Sequence, residues 1–307
     1  MMLGTVLVTG ASGFIGRHVA RSCRARGSET VVLRRSGSTS AVVHGGRIVE
    51  VALDDEVALR SAVRTIKPSV MIHLAAYGVS PQDRDPYVMQ RVNVDLGAAL
   101  VRAAADCGSV FVSAGSCAEY AEPRRRERLD ETSPLESGKL YGSSKAAGGL
   151  LSLAIATALA VPMRHLRLFN VYGPGEAAHR LLPSLASERA TGRRVRLSAG
   201  LQVRDFIHVE DVAEGMLVAA ERLISGTAKG ATPLNLCTGV GTSVRDLVTL
   251  AAQALAIAPE NLGFGDLPMR PDEIPYLVGQ PDKMTFDLGW RPAYGPAAGV
   301  EATIASL

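Results

Sequence analysis

The chain opens on an apolar run, Thr5-Val6-Leu7-Val8, and then alternates short β-branched stretches with longer amphipathic ones. The short runs read as strands at 6–9, 30–33, 47–51, 69–74, 110–113 and 164–168. Between them, apolar residues recurring every three or four positions predict helices over 15–26, 56–65, 92–105 and 145–160. Strands alternating with helices of this length form βαβ units, so the expected fold class is α/β, a doubly wound parallel sheet covered on both faces. After Val171-Tyr172-Gly173-Pro174-Gly175 the rhythm breaks, and proline becomes denser from Pro259 onward. The expected division is a nucleotide-binding domain over 1–168 with a returning segment at about 203–226. A smaller C-terminal cap would comprise 169–202 and 227–307, closing over the carboxyl ends of the strands, where open α/β sheets bind ligands.

Composition narrows the function classes. Of 307 residues, 47% are hydrophobic and 21% charged, enough for a sizeable core and against global disorder. The net charge is only +3, and the longest like-charged run is Arg124-Arg125-Arg126, so neither nucleic acid nor a membrane surface is an expected partner. The most apolar stretch, 150–161, holds Ser152 and Thr157 and stops at Pro162, short of the ~20 residues of a membrane span. Cys23, Cys107, Cys117 and Cys237 lack paired spacing, which argues against disulfides and a zinc site. With no signal-peptide pattern at the N-terminus, the expected compartment is the reducing cytoplasm.

The first strand runs into Thr9-Gly10-Ala11-Ser12-Gly13-Phe14-Ile15-Gly16 and then a helix. Gly10 permits the tight turn, Gly13 lets the backbone approach a pyrophosphate, and Gly16 allows close helix–strand packing, as in Rossmann-type sheets. The helix N-terminus aims free N–H groups at the anion. At the end of the second strand an acidic residue would bind a ribose 2′-hydroxyl and indicate NAD; this strand ends Val32-Leu33-Arg34-Arg35-Ser36. Guanidinium forks pair with a 2′-phosphate, so NADP(H) is favoured and NAD(H) stays open.

Tyr141-Gly142-Ser143-Ser144-Lys145 puts a phenol and an ammonium one helical turn apart. A tyrosine of pKa ~10 needs ~4 kcal/mol of help to exchange protons near pH ~7. One cation ~4 Å away at an effective dielectric of ~20 supplies about that, so Lys145 is expected to do the tuning. Upstream, Ser113-Ala114-Gly115-Ser116 closes a strand, where Ser116 can polarise a carbonyl oxygen.

With these pieces, nearly the whole chain resembles the extended short-chain dehydrogenase/reductase family, in its nucleotide-sugar epimerase/reductase branch. The resemblance implies a catalytic triad of Ser116, Tyr141 and Lys145. It implies cofactor contacts from the glycine loop, Leu53, Asp54, His73-Leu74-Ala75-Ala76 and Asn93, the last steadying the active site. Tyr77, Cys117, Glu119, Asn170, Arg204 and Arg270 are implied at a nucleotide-diphosphate-sugar substrate, and no metal is implied. The motifs Leu168-Phe169-Asn170-Val171-Tyr172-Gly173-Pro174, Arg204-Asp205-Phe206-Ile207-His208 and Arg270-Pro271-Asp272 carry the likeness into the cap. The helices expected at 92–105 and 145–160 are implied to pair two copies as a homodimer.

Two departures bear on activity. Ala52 stands where relatives have an aspartate on adenine, leaving Asp54 or a backbone N–H to serve. Cys117 and Ala118 stand where sugar dehydratases carry an Asp-Glu pair, which disfavours dehydration. The resulting expectation is NADPH-dependent reduction of the 4-keto group of a dTDP-type 4-keto-6-deoxyhexose, with an NAD-dependent 4-epimerase of the UDP-glucose/galactose type as the alternative. A non-catalytic dinucleotide sensor is a third reading, which the intact Tyr141 and Lys145 disfavour. Cys117, Glu119 and His179 are candidates for additional acid–base chemistry, and His208 for structure.

Overall fold

The computed structural model describes residues 2–38, 46–80, 82–269 and 273–307. In chain order the first part comprises β1 (Thr5–Thr9), α1 (Phe14–Ala25), β2 (Glu29–Arg35), β3 (Arg47–Val51), α2 (Glu56–Ile66), β4 (Val70–His73), α3 (Pro86–Met89), α4 (Leu96–Cys107), β5 (Val110–Ser116), α5 (Leu140–Ala158) and β6 (Met163–Leu168). The second comprises β7 (Asn170–Tyr172), α6 (Leu181–Thr191), β8 (Val195–Leu197), β9 (Val203–His208), α7 (Val209–Ile224), β10 (Ala231–Leu236) and β11 (Gly241–Ser243). It closes with α8 (Val244–Ala254), β12 (Leu262–Phe264), β13 (Tyr276–Leu277), α9 (Asp282–Leu288) and α10 (Pro296–Ile304).

Seven strands pair in parallel in the order β10-β6-β5-β4-β1-β2-β3, the Rossmann arrangement. Strand order reverses between β1 and β4, which opens a crevice at their carboxyl ends. Strands buried on both faces must be apolar on both, and β1 supplies Val6 and Val8 to one core and Leu7 to the other. The first core continues through Val19, Ala20 and Leu217, the second through Leu59, Val63, Leu100 and Phe111.

Several boundaries differ from the sequence pattern, each for a local reason. The helix expected over 92–105 starts earlier, at Pro86: Asp85 caps it by accepting from Tyr87 N (2.9 Å) and Val88 N (3.2 Å), and proline at the first position needs no N–H partner. Between α3 and α4 the backbone makes a π-helical turn, Gln90–Asp95. β5 runs on to Ser116, and α5 begins at Leu140, so Tyr141 and Lys145 share its first turns.

The domain expectation needs one correction. β9 pairs with β7, β11 and β13 in a separate small sheet, so the returning segment joins the main body through α7 rather than through a strand. β10, which falls in the segment assigned to the cap, is an edge strand of the main sheet and satisfies the backbone of β6. Met284, Leu288 and Trp290 pack in the main core as well.

Candidate active site

A cleft of about 970 Å³ opens at the crevice between β1 and β4. Gly10, Ser12, Gly13, Leu74, Ala75, Ala76 and Tyr77 line it toward the glycine loop, and Arg34, Arg35, Ser38, Leu53, Asp54 and Arg91 toward the end of β2. Gly10 has φ +71°, and a Cβ there would lie 2.6 Å from Ala75 N. A Cβ on Gly16 would lie 2.1 Å from the Gly10 carbonyl oxygen, so only glycine lets α1 approach β1 this closely. Gly13 starts α1 with no side chain capping the first turn, which leaves the N–H groups of the turn containing Phe14, Ile15 and Gly16 to an anion. The cradle, the volume and the uncapped helix fit a dinucleotide.

At the far end of the cleft charges are paired across neighbouring elements. Arg34 sits opposite Glu50 in the β2–β3 register and forms an ion pair with it, holding that carboxyl below its usual range. Asp54 is lowered too, first by its own backbone N–H and then by its ion pair with Arg91. Ser36 is exposed; Ser38 lines the cleft in its place.

Ser116 and Tyr141 meet outside the residues that line this cleft, and Lys145 follows Tyr141 one turn along α5. Ser116 Oγ accepts from Ala118 N (3.1 Å) and lies against the Tyr141 phenol, whose pKa it pulls down. Lys145 is 6% exposed and its Nζ donates to the Ala114 carbonyl at 2.8 Å. Here the electrostatic expectation is corrected. Burial pushes the Tyr141 phenol up to about 12; Ser116 and Arg84 pull it down, and Cys117 and Glu119 raise it. Burial also lowers the Lys145 pKa, so the desolvated wall outweighs the simple pairwise attraction.

Asn93 is buried, and its side-chain amide is engaged within the protein. It is 5% exposed; its Oδ1 accepts from Tyr77 N (2.9 Å), and its Nδ2 donates to the Tyr77 carbonyl (2.9 Å) and Ser144 Oγ (3.0 Å). This clamps the cleft loop to the first turn of α5. A Cβ on Gly148 would lie 1.9 Å from the Asn93 carbonyl oxygen, so that glycine permits the approach.

Glu119 is likewise corrected as a substrate ligand. It is 1% exposed, and its carboxylate accepts from Ser116 N (2.9 Å), Arg167 Nε (2.9 Å) and His165 Nε2 (3.1 Å). Cys117 is a neutral thiol, pushed up by burial to about 12, and packs with Tyr120, Leu129 and Phe169. Asn170 keeps a buried Oδ1 with no hydrogen-bond partner among the described residues, an acceptor suited to a ligand. Arg204 is 8% exposed, ion-paired with Glu273, and close enough to Cys117 to act on its thiol. Arg270 lies outside the described residues. His179 is exposed in a turn, while His208 stacks on Tyr294 at 4.2 Å and caps α7.

Sequence reasoning missed His165 and Arg167. The signal was available: β6 reads Met-Arg-His-Leu-Arg-Leu, and charged residues inside a strand buried on both faces require partners.

A parallel sheet with a cleft at its crevice and a glycine loop at the head of α1 defines an NAD(P)-dependent enzyme of the extended short-chain dehydrogenase/reductase type. The description "NAD dependent epimerase/dehydratase family" matches residues 6–234, and the chain belongs to that family. It is 30% identical to a UDP-glucose 4-epimerase of Rhizobium meliloti (strain 1021), over 98% of this chain and 96% of the relative. It is also 30% identical to a dTDP-4-dehydro-6-deoxy-D-allose reductase of a Streptomyces species, over 69% of this chain and 71% of that one. A solved UDP-glucose 4-epimerase of Thermus thermophilus, in complex with NAD, superposes with TM-score 0.84 at 30% identity over 98% of both chains.

Proposed function

We propose that this protein interconverts a nucleotide-linked hexose and its C4 epimer, the reaction of the UDP-glucose 4-epimerases. The carrying observation is likeness to such enzymes along the whole chain, where the likeness to a reductase covers only 69% of it. This reverses the order of the two readings drawn from the sequence.

Tyr141 takes the proton of the sugar C4 hydroxyl and later returns it. Ser116, with one lone pair already held by Ala118 N, donates its hydroxyl proton to the same oxygen. NAD(P), when bound, supplies the hydride acceptor at C4 and, oxidised, a positive charge. Lys145 contributes its ammonium to the same wall, and burial keeps the site dry enough for these charges to act strongly. Asn170 and Arg204 hold the diphosphate sugar.

A second reading, 4-keto reduction with NADPH, is favoured by Arg34 and Arg35, which stand where a carboxylate would repel a 2′-phosphate. The test is incubation of the purified protein with UDP-glucose or UDP-galactose and no added reductant. Interconversion by NMR supports epimerisation; inertness there, with NADPH oxidised by a dTDP-4-keto-6-deoxyhexose, supports reduction instead.

A homodimer belongs to the same proposal. Leu150 and Leu151 of α5 are exposed at 54% and 42%, an apolar patch suited to a second copy. Light scattering at twice the chain mass is the expected result.

A further inference from the structure

The two arginines that close β2 are not equivalent. Side chains alternate across a strand, so Arg34 shares a face with Val32, in the first core, and Arg35 the other with Leu33, in the second. β3, the edge strand, runs beside β2 with Glu50 opposite Arg34 and Val51 opposite Arg35. Arg34 Nη2 donates to Glu50 Oε1, and the two side chains are 22% and 44% exposed. Val51 is apolar and packs in the second core, so the register sets no carboxylate opposite Arg35. Both arginines line the dinucleotide cleft, as does Ile48, two residues before Glu50 on the same face of β3.

This register changes what the arginine pair can read. A 2′-phosphate is an anion that needs guanidinium N–H groups not committed to another anion. The guanidinium fork is rigid, so a phosphate oxygen and Glu50 Oε1 compete for the Nη2 side of Arg34. A ribose hydroxyl is neutral and asks for no such exchange. Sheets that bind NAD carry an acid at the end of the second strand. Here β2 lacks that acid, and β3 supplies a carboxylate at the register position beside it.

We propose that Glu50 is a specificity-determining residue for the dinucleotide: by occupying the Arg34 guanidinium it biases the cleft toward NAD(H) and away from NADP(H). A dinucleotide with a 2′-phosphate must displace the Glu50 carboxylate to use Arg34, whereas NADH leaves the pair intact. The proposal rests on the reading that the cleft holds a dinucleotide. It removes the conflict between the arginine pair and an NAD-dependent epimerase.

The experiment is calorimetric titration of the full chain with NADPH and with NADH at one ionic strength, which needs no sugar substrate and no turnover. The wild type is expected to bind NADH at least as tightly as NADPH. Glu50→Gln keeps the size of the side chain and removes its charge. The dissociation constant for NADPH should then fall about three- to tenfold, while that for NADH stays within about twofold. Removing any nearby negative charge draws an anion in, so a cycle with Arg34→Met isolates the pair. In the Arg34→Met background the gain that Glu50→Gln gives NADPH should shrink below about twofold.

An equal change for both dinucleotides in Glu50→Gln, or no change for either, overturns the proposal. So does an NADPH gain that persists undiminished in Arg34→Met, which would reduce Glu50 to one charge among others. A wild type that binds NADPH more tightly than NADH overturns it without any variant, so poor folding of the variants does not protect it. Binding of neither dinucleotide overturns the reading of the cleft and this proposal with it, whereas binding of both without the NADPH-specific gain overturns this proposal alone.

Discussion

The far end of the dinucleotide cleft and the wall behind Ser116 both carry arginine–carboxylate pairs, yet they do different work. Arg34–Glu50 and Arg91–Asp54 are partly solvated, with the Glu50 and Asp54 side chains 44% and 60% exposed. Pairs of this kind exchange partners at little free-energy difference, so an incoming phosphate can take over the guanidinium. Arg167–Glu119 has its two side chains 4% and 1% exposed and is tied to His165, Ser116 and Tyr120. Removing one member there strands a buried charge, which is destabilising by about 3–5 kcal/mol in comparable sites. The open end can therefore adapt to its ligand, and the wall keeps one arrangement.

The sharpest way to break this contrast acts at the wall. Tyr141→Phe removes the proposed proton carrier without changing the ring, and kcat should fall by about 10²–10⁴-fold while dinucleotide affinity, read by calorimetry, stays near wild type. Retained turnover would move the chemistry elsewhere. At the open end, Arg34→Asp with Arg35→Asn should weaken NADPH binding by about 10- to 100-fold, the loss of one charge-assisted contact, and spare NADH. An unchanged NADPH/NADH ratio would mean that the 2′-phosphate is read by other residues.

A third test concerns pH. His73 hydrogen-bonds Thr9 Oγ1 at 2.7 Å, and burial, with Lys145 and His165 adding, lowers its pKa to about 3. The unfolded chain takes up a proton at this position below about pH 6.5 while the folded one does not, so the unfolded state binds more protons there. Stability should fall as pH drops from about 6.5 toward 3, by at most about 1.4 kcal/mol per unit from this group. Urea titrations at pH 7 and 5 measure it, and His73→Asn should flatten the slope. The smallest effect belongs to the solvated pair: Glu50→Gln should leave the melting temperature within measurement error, and a clear drop would show the cleft end to be as rigid as the wall.

Much of this was legible in the residues. The span 47–51 is a strand with the boundaries that its β-branched run implied, and the glycine loop occupies the turn between β1 and α1 that its spacing required. Tyr141 and Lys145 fall one turn apart because α5 is a regular helix through both. The start of α3 was missed because Asp85-Pro86 signals a helix only once the π-helical turn after it is known to continue. β10 was misplaced because Pro233 and the short run around it look like loop until β6 offers an open edge.

Turns, caps and helical repeats depend on residues within a few positions of one another, and so the primary sequence determined the sheet, the phosphate cradle and the catalytic spacing. Charge partners do not obey that locality. Glu119 meets His165 and Arg167 across 46 and 48 positions, and Arg34 meets Glu50 across 16. Only folding decided which ions were shielded from water and which faced it, and so only the tertiary structure decided that Tyr141 would be a half-buried, weakly acidic phenol and Glu119 a fixed anion.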